Sequence, residues 1–290
     1  MGNENKTKIR LQGHEKFALR DGWLNKGLIM VNRDAFVFQG KNGPDVFGIG
    51  NNMVKSLRYW LRAFGLIEES QNKGAKLTDF GKTVLENDPY LEDLYTIWLL
   101  HSHIAKNAEE ATSWFVLFNR VDFEDMEKEY IEAILLREIT KYASGISFSD
   151  KSVKNDLDVI LNMYSKSKEV SDPEDKNISP LAQLNLIKNI DGRYTKVHPD
   201  RKHISEWVVL YEMAVMLENR EFISIEEAID GENGLAKIYQ LTSVSANELL
   251  DRLEALDYIR INRTAGLDVI YKNDSIDAKI VMEDYYKNKR

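Results

Sequence analysis

Four sets of residues have the types that chemistry requires: His14-Glu15 with Arg20 and Asp21, Gly48-Ile49-Gly50, the polar positions of 51–62, and His101-Ser102-His103. The first set holds a base, acids and a cation of the kind used in proton transfer. Nothing in the sequence places a substrate beside them, and polar residues that support a fold outnumber catalytic ones, so they read as an N-terminal structural cluster. His101 and His103 stand two apart. On a helix such positions diverge, whereas ligand pairs sit four apart, so a helix-surface or buried polar role is expected and no metal site. Gly48-Ile49-Gly50 is a fragment of a phosphate loop, but Met53 stands where the dinucleotide fingerprint needs a third glycine, and no strand of the required kind precedes it. It reads as a tight turn. No nucleophile elbow, zinc-protease motif or kinase signature occurs. The expectation is a non-enzyme with no catalytic residue, cofactor or metal.

The remaining set is the most informative. No acidic residue occurs from Asn51 to Ile67, while Asn51, Asn52, Lys55, Arg58, Tyr59 and Arg62 are polar or basic. Val54, Leu57, Leu61 and Phe64 recur at helical spacing and define a core-facing stripe. Asn51 is expected to cap the helix and Gly65 to end it in a left-handed turn. The opposite face can then meet DNA, asparagines on adenine edges or phosphates and cations on the backbone. A solvated basic face is the competing reading.

The elements around that helix set the expected fold. An amphipathic helix over Phe17 to Ile29 and a break at Gly40-Lys41-Asn42-Gly43-Pro44 precede it. A hairpin turning over Gln71 to Gly74 follows, then a helix after Leu77. This is the order of a winged helix, with 51–64 as recognition helix. The logic recurs. Asp122 to Asp125 lead into a helix from Met126 to about Tyr142. A second helix buries Val153, Leu157, Ile160, Leu161 and Tyr164 and exposes Lys151, Lys154, Asn155 and Asp158, a face of mixed sign. Later, Leu249, Leu250, Leu253 and Leu256 mark a helix capped by Ser245, before a hairpin around Thr264-Ala265-Gly266. That helix carries Glu248, Asp251 and Glu254 against Arg252, a face expected to repel phosphate and to pack or bind protein. The expected fold class is therefore mainly α with small β wings, in tandem winged-helix-type (helix-turn-helix) modules. The expected domains are 1–90, a basic module; 91–165, a helical module; 166–180, a polar linker with two prolines; and 181–290, a C-terminal module opening on Leu181 to Ile190 and a turn at Asp191-Gly192-Arg193. Trp60, Trp98, Trp114 and Trp207 lie among apolar neighbours and read as core.

Composition bounds these readings. The 290 residues carry a net charge of -8, which argues against indiscriminate coating of nucleic acid. Residues 1–76 hold 13 basic and 7 acidic residues, so the amino-terminal quarter is a basic module on an acidic body. Cysteine is absent, which excludes disulfides and thiolate chemistry. No apolar run approaches the roughly 18–20 residues that span a bilayer, and Met1 to Arg10 is polar, unlike a secretory signal. A soluble, cytoplasmic protein is expected.

Several blocks resemble one bacterial family. The run Gly13-His14-Glu15-Lys16-Phe17 through Trp23-Leu24-Asn25-Lys26-Gly27 is similar to the opening of the DUF4007 family, and Gly48-Ile49-Gly50-Asn51-Asn52-Met53-Val54-Lys55-Ser56-Leu57-Arg58-Tyr59-Trp60 to its second block. Asp88-Pro89-Tyr90-Leu91-Glu92-Asp93 through His101, Thr112-Ser113-Trp114-Phe115 with Phe118-Asn119, Ser152 to Val159 and Ser179-Pro180-Leu181-Ala182 extend the resemblance over nearly the whole chain. It implies a place in gene clusters for sulfur incorporation into DNA and phage defence, beside proteins resembling cysteine desulfurases and phosphoadenosine-phosphosulfate reductases. The segment before Gly48 is short and proline-bearing, so an abbreviated helix is expected there. The functional expectation is a DNA-binding recognition or regulatory subunit. The alternative is a non-catalytic adaptor for a sulfur-transfer enzyme.

Overall fold

The computed structural model describes residues 8–40, 43–166, 178–273 and 276–289. Most of the expected linker at 166–180 lies outside them, as do Lys41 and Asn42 of the expected break. The chain is mainly helical with three small antiparallel sheets.

Helix α1 (Trp23–Arg33) leads to the single-turn α2 (Gly43–Phe47) and to α3 (Asn51–Ala63). α1 begins later than its periodicity predicts, because residues 12–17 form a turn rather than a helix. α2 is as short as expected. Strands β1 (Ile67–Ser70) and β2 (Gly74–Leu77) form a hairpin, and the Ala75 amide donates to the Ala35 carbonyl at 2.7 Å, adding a rung on the far side of β2. Gly74 (φ 73°) permits this approach: a Cβ there would lie 2.3 Å from the Ala35 oxygen.

α4 (Asp79–Asn87), capped by Thr78, and the almost wholly buried α5 (Leu94–Lys106) connect to α6 (Thr112–Arg120). Then come β3 (Met126–Glu127), α7 (Lys128–Ala143), α8 (Asp150–Ser165), β4 (Ile187–Ile190) and β5 (Arg193–Lys196). Two details differ from expectation. Met126–Glu127 is a strand rather than the start of the helix, and β5 pairs with it, giving the order β3-β5-β4. The hairpin expected to open a third module is therefore bonded to the second. Strand pairing is non-local, and the local pattern of 181–193 carries no record of its partner.

The last elements are α9 (Glu206–Met216), β6 (Phe222–Ser224), α10 (Ile225–Asp230), α11 (Leu235–Ile238), α12 (Ser243–Ala255), β7 (Ile259–Asn262), β8 (Val269–Lys272) and α13 (Ala278–Lys289). The sheet order is β6-β8-β7, the same sequence of first, third and second strand as β3-β5-β4. Ala35, β2 and β1 repeat it with a single residue as first strand. α12 is capped by Thr242, whose hydroxyl accepts the Ser245 amide at 3.1 Å, so Ser245 receives the cap rather than providing it.

The buried apolar side chains form one contiguous cluster from Leu19 to Tyr286. Trp60, Trp98 and Trp114 lie within it, while Trp207 is half-buried against Tyr258 and Tyr285. No helix among the described residues is long and apolar enough to cross a membrane.

Candidate nucleic-acid interface

Helix α3 is buried over most of its circumference. Val54, Leu57, Leu61 and Phe64 face the core as their spacing predicts, and Ser56, Tyr59, Trp60 and Ala63 are buried as well. What reaches solvent is a narrow stripe: Asn51, Asn52 and Lys55 exposed, Arg58 and Arg62 partly so. Gly50 occupies the cap position in extended backbone, so Asn51 is the first helical residue rather than the cap. Gly65 ends the helix in left-handed conformation, as expected.

The six candidate residues do not share one environment. The Lys55 ammonium reaches the Asn52 side-chain oxygen at 3.4 Å, and both remain exposed. Arg58 donates through Nε to both oxygens of Glu69 on β1, at 2.8 and 3.0 Å. Arg62 bonds Glu110 and lies 3.5 Å from Glu69, while Arg10 bonds Glu110 at 2.7 Å. Three guanidiniums thus share two carboxylates, and only a fraction of their charge is open to an incoming anion. Tyr59 departs from the candidate set. It is 2% exposed, its ring lies against Gly13 and under the Arg10 guanidinium, and burial followed by the Asp156 carboxylate raises its phenol well above the usual value. Its place in the sequence resembled an outward polar position, but the segment before α1 folds back over it.

That segment explains the His14 cluster. His14 is fully buried and stacked on Trp60. Its Nδ1 accepts the Lys16 amide at 3.1 Å, so Nε2 carries the proton and donates to Asp156 of α8 at 2.8 Å. Asp156 also accepts from the Gln12 amide at 2.8 Å and the Ser113 hydroxyl at 2.5 Å. The carboxylate sits between histidine and serine with all three buried, an arrangement that holds the turn to α6 and α8. The structural reading of His14 fits this geometry. Its partner lies 142 residues further on, beyond any local signal.

His101 and His103 of α5 meet different partners. His101 donates Nε2–H to the Ile238 carbonyl and accepts from the Tyr164 hydroxyl at Nδ1, both at 2.7 Å. His103 stacks on Phe80 and bonds Tyr211. Burial lowers both rings to about 3, with the Lys106 charge adding to the shift at His103. Among the described residues no group of three His, Asp or Glu converges as a metal site. A cleft of about 530 Å³ is lined by residues including Phe118, Asp122, Lys196, His198, Lys237 and Gln240, none of them on α3. In it the Lys196 ammonium donates to the carbonyls of Leu117 and Val121, and burial brings it down to about 7.

The equivalent helices differ. On α8, Lys151 and Lys154 are exposed, and Asp158 is paired by Lys128 at 2.9 Å. On α12 two of the three residues of the expected acidic face are ion-paired and the third is hydrogen-bonded to the backbone. Arg201 bonds Glu248 at 2.6 Å, Arg263 bonds Asp251 at 2.6 Å, and Glu254 accepts the Ile261 amide at 2.6 Å. These partners come from outside the helix, so its own composition overstated its charge.

Two solved structures match this fold with a TM-score of 0.85 and 21% identity. One, titled "Magnesium ion-bound SspB crystal structure", covers 96% of this chain and 88% of that one; the other, "SspB crystal structure", covers 98% and 90%. No curated protein matches the sequence. The family model described as "Protein of unknown function (DUF4007)" matches residues 11–286, which bears out the resemblance carried by the Gly13 and Gly48 blocks: the chain belongs to the DUF4007 family.

Proposed function

We propose that this chain is a non-catalytic DNA-binding subunit, for recognition or regulation, built from three winged helices of which the first faces the duplex. The winged-helix reading is supported by the order repeated three times: a helix, a short strand or single rung, further helices, then a hairpin whose last strand sits in the middle of the sheet. In this arrangement the last helix before the hairpin enters the major groove. The observation that carries DNA binding is the exposed stripe of α3, where Asn51, Asn52 and Lys55 are open to solvent. Asn51 and Asn52 suit base edges or phosphates, Lys55 the backbone, and Arg58 and Arg62 supply partly screened positive charge behind them. The setting implied by the family resemblance is DNA sulfur modification or phage defence.

The experiment is a titration of duplexes with and without phosphorothioate linkages at several salt concentrations. The logarithm of the affinity should fall linearly with log salt. Binding no tighter than millimolar at low salt for either duplex overturns the proposal.

A protein-adaptor role, for instance toward a sulfur-transfer enzyme, is favoured by one feature of the third unit. Val244 at the start of α12 is 69% exposed and Leu267 beyond β7 is 57% exposed, while the nearby Arg201 and Arg263 are committed to carboxylates. Such a face suits a protein partner better than phosphate. Co-purification with the products of neighbouring genes, lost on Val244→Asp with Leu267→Asp, tests it.

A further inference from the structure

The Gln12–Lys16 turn is strained, anchored and placed between two helices. Gln12, Glu15 and Lys16 all have left-handed backbone, at φ of 56°, 50° and 66°, a conformation non-glycine residues rarely adopt. Such strain persists only where the surroundings over-determine it, and it concentrates at functional positions. Here His14 is the anchor: buried, stacked on Trp60 of α3 and bonded to Asp156 of α8. On one side the turn lies against α3, with Gly13 on Tyr59 and the Phe17 carbonyl accepting from Ser56 and Trp60. On the other, Asn155 of α8 donates to the Gln12 side chain at 3.0 Å. α3 and α8 therefore both contact this turn, and Glu15 and Lys16 at its tip are exposed.

The charges along this strip are unevenly committed. Arg10, Arg58 and Arg62 are tied to Glu69 and Glu110. Among the described residues Lys55 meets only Asn52, and Lys154 only Glu132, at 4.0 Å. Lys16 and Lys151 are exposed cations with no salt bridge among the described residues. The opposing carboxylates are Glu15, Asp150 and Glu132, since Asp158 is held by Lys128. Four lysines from three elements thus outnumber three carboxylates.

We propose that the Gln12–Lys16 turn joins α3 and α8 into one surface for the phosphate backbone of duplex DNA, with Lys16, Lys55, Lys151 and Lys154 as the phosphate contacts. This rests on the reading of α3 as the DNA-facing helix and extends it to two elements that reading does not include. The anchored backbone fixes the position of Lys16, so binding need order its side chain but not the loop that carries it.

Two variants separate contact from folding. Lys16→Gly removes the ammonium and relieves the left-handed backbone, so its melting temperature should not fall; Lys16→Asn, also tolerant of that backbone, serves as its companion. Lys151→Ala with Lys154→Ala removes exposed charges from α8. Binding of the full chain to a labelled duplex of about 30 base pairs is measured by fluorescence anisotropy across a salt series. Lys16→Gly and Lys16→Asn should each weaken binding about 5-fold and lower the salt slope by about one unit, and the α8 double variant by about two. If wild type binds and Lys55→Ala weakens it, yet the turn and α8 variants bind as wild type does, the proposal fails and the α3 reading survives. If wild type does not bind the duplex, both fall.

Discussion

Lys55 and Arg58 stand one turn apart on α3 with different duties. Lys55 is exposed and makes one long contact to its own helix, so Lys55→Ala should change stability by less than about 0.5 kcal/mol. Arg58 ties the helix to β1, so Arg58→Ala should cost up to about 1 kcal/mol, modest because the side chain is 41% exposed. In DNA binding the order reverses: Lys55→Ala should lower the salt slope by about one unit and Arg58→Ala by less. Thermal melts and anisotropy on both variants check this, and equal slopes would contradict the division. His101 supports a pH prediction. Its folded pKa is lowered to about 3 against an unfolded value near 6.5, so the unfolded state binds the proton first. The stability of the neutral, buried ring is complete above about pH 6.5 and is lost progressively as pH falls toward 3, by roughly 1 kcal/mol per unit. His103, lowered in the same direction but half-buried, should add a smaller loss. Urea melts between pH 7.5 and 4.5 test this, with a flatter profile expected for His101→Gln.

At the scale of the element, the amphipathic pattern of α3 is its most legible feature. Leu61 is fully buried against Gly27 of α1, where even a Cβ on the glycine would come within 2.7 Å of a Leu61 methyl. Leu61→Ala should therefore cost about 2–5 kcal/mol by thermal or denaturant melts. The hairpin offers a sharper test. Because any Cβ at Gly74 meets the Ala35 oxygen in a left-handed backbone, Gly74→Ala should cost roughly 1–3 kcal/mol. It should also speed hydrogen exchange at the Ala75 amide, which that rung protects. Unchanged exchange would show that the rung does not hold the hairpin. Most helix spans, the turn at Asp191-Gly192 and the hairpin around Gly266 were legible because each is set by local periodicity and turn chemistry. The starts of α1 and α7, the N-cap of α3 and the partner of the β4–β5 hairpin were not, since each depends on neighbours the local pattern does not name.

Over the whole molecule the three repeated units share one core, with α5 buried between them. Asp156 is a junction in that packing, accepting from His14, Gln12 and Ser113 while 2% exposed. Asp156→Ala strands two buried donors, His14 and Ser113, and the half-buried Gln12 amide, and should cost about 3 kcal/mol or more. With a contiguous core, calorimetry should show one cooperative transition for wild type, moved to lower temperature in the variant. A variant in which one transition stays at the wild-type temperature while another falls would mean that the units melt independently.

The sequence by itself determined the mainly helical class, the inward stripe of α3, the burial of three tryptophans, the basic amino-terminal quarter and the family. All of these are carried by local periodicity, composition or contiguous motifs. Only the tertiary structure decided which polar residues are available. Tyr59 is taken into the core by a segment 46 residues upstream that folds back over it. Arg58 and Arg62 are claimed by Glu69 and Glu110, and Glu248 and Asp251 of α12 are paired by Arg201 and Arg263. The reason is physical: helical facing repeats every 3.6 residues and can be read from spacing, whereas an ion pair or a buried hydrogen bond joins residues whose separation along the chain is arbitrary.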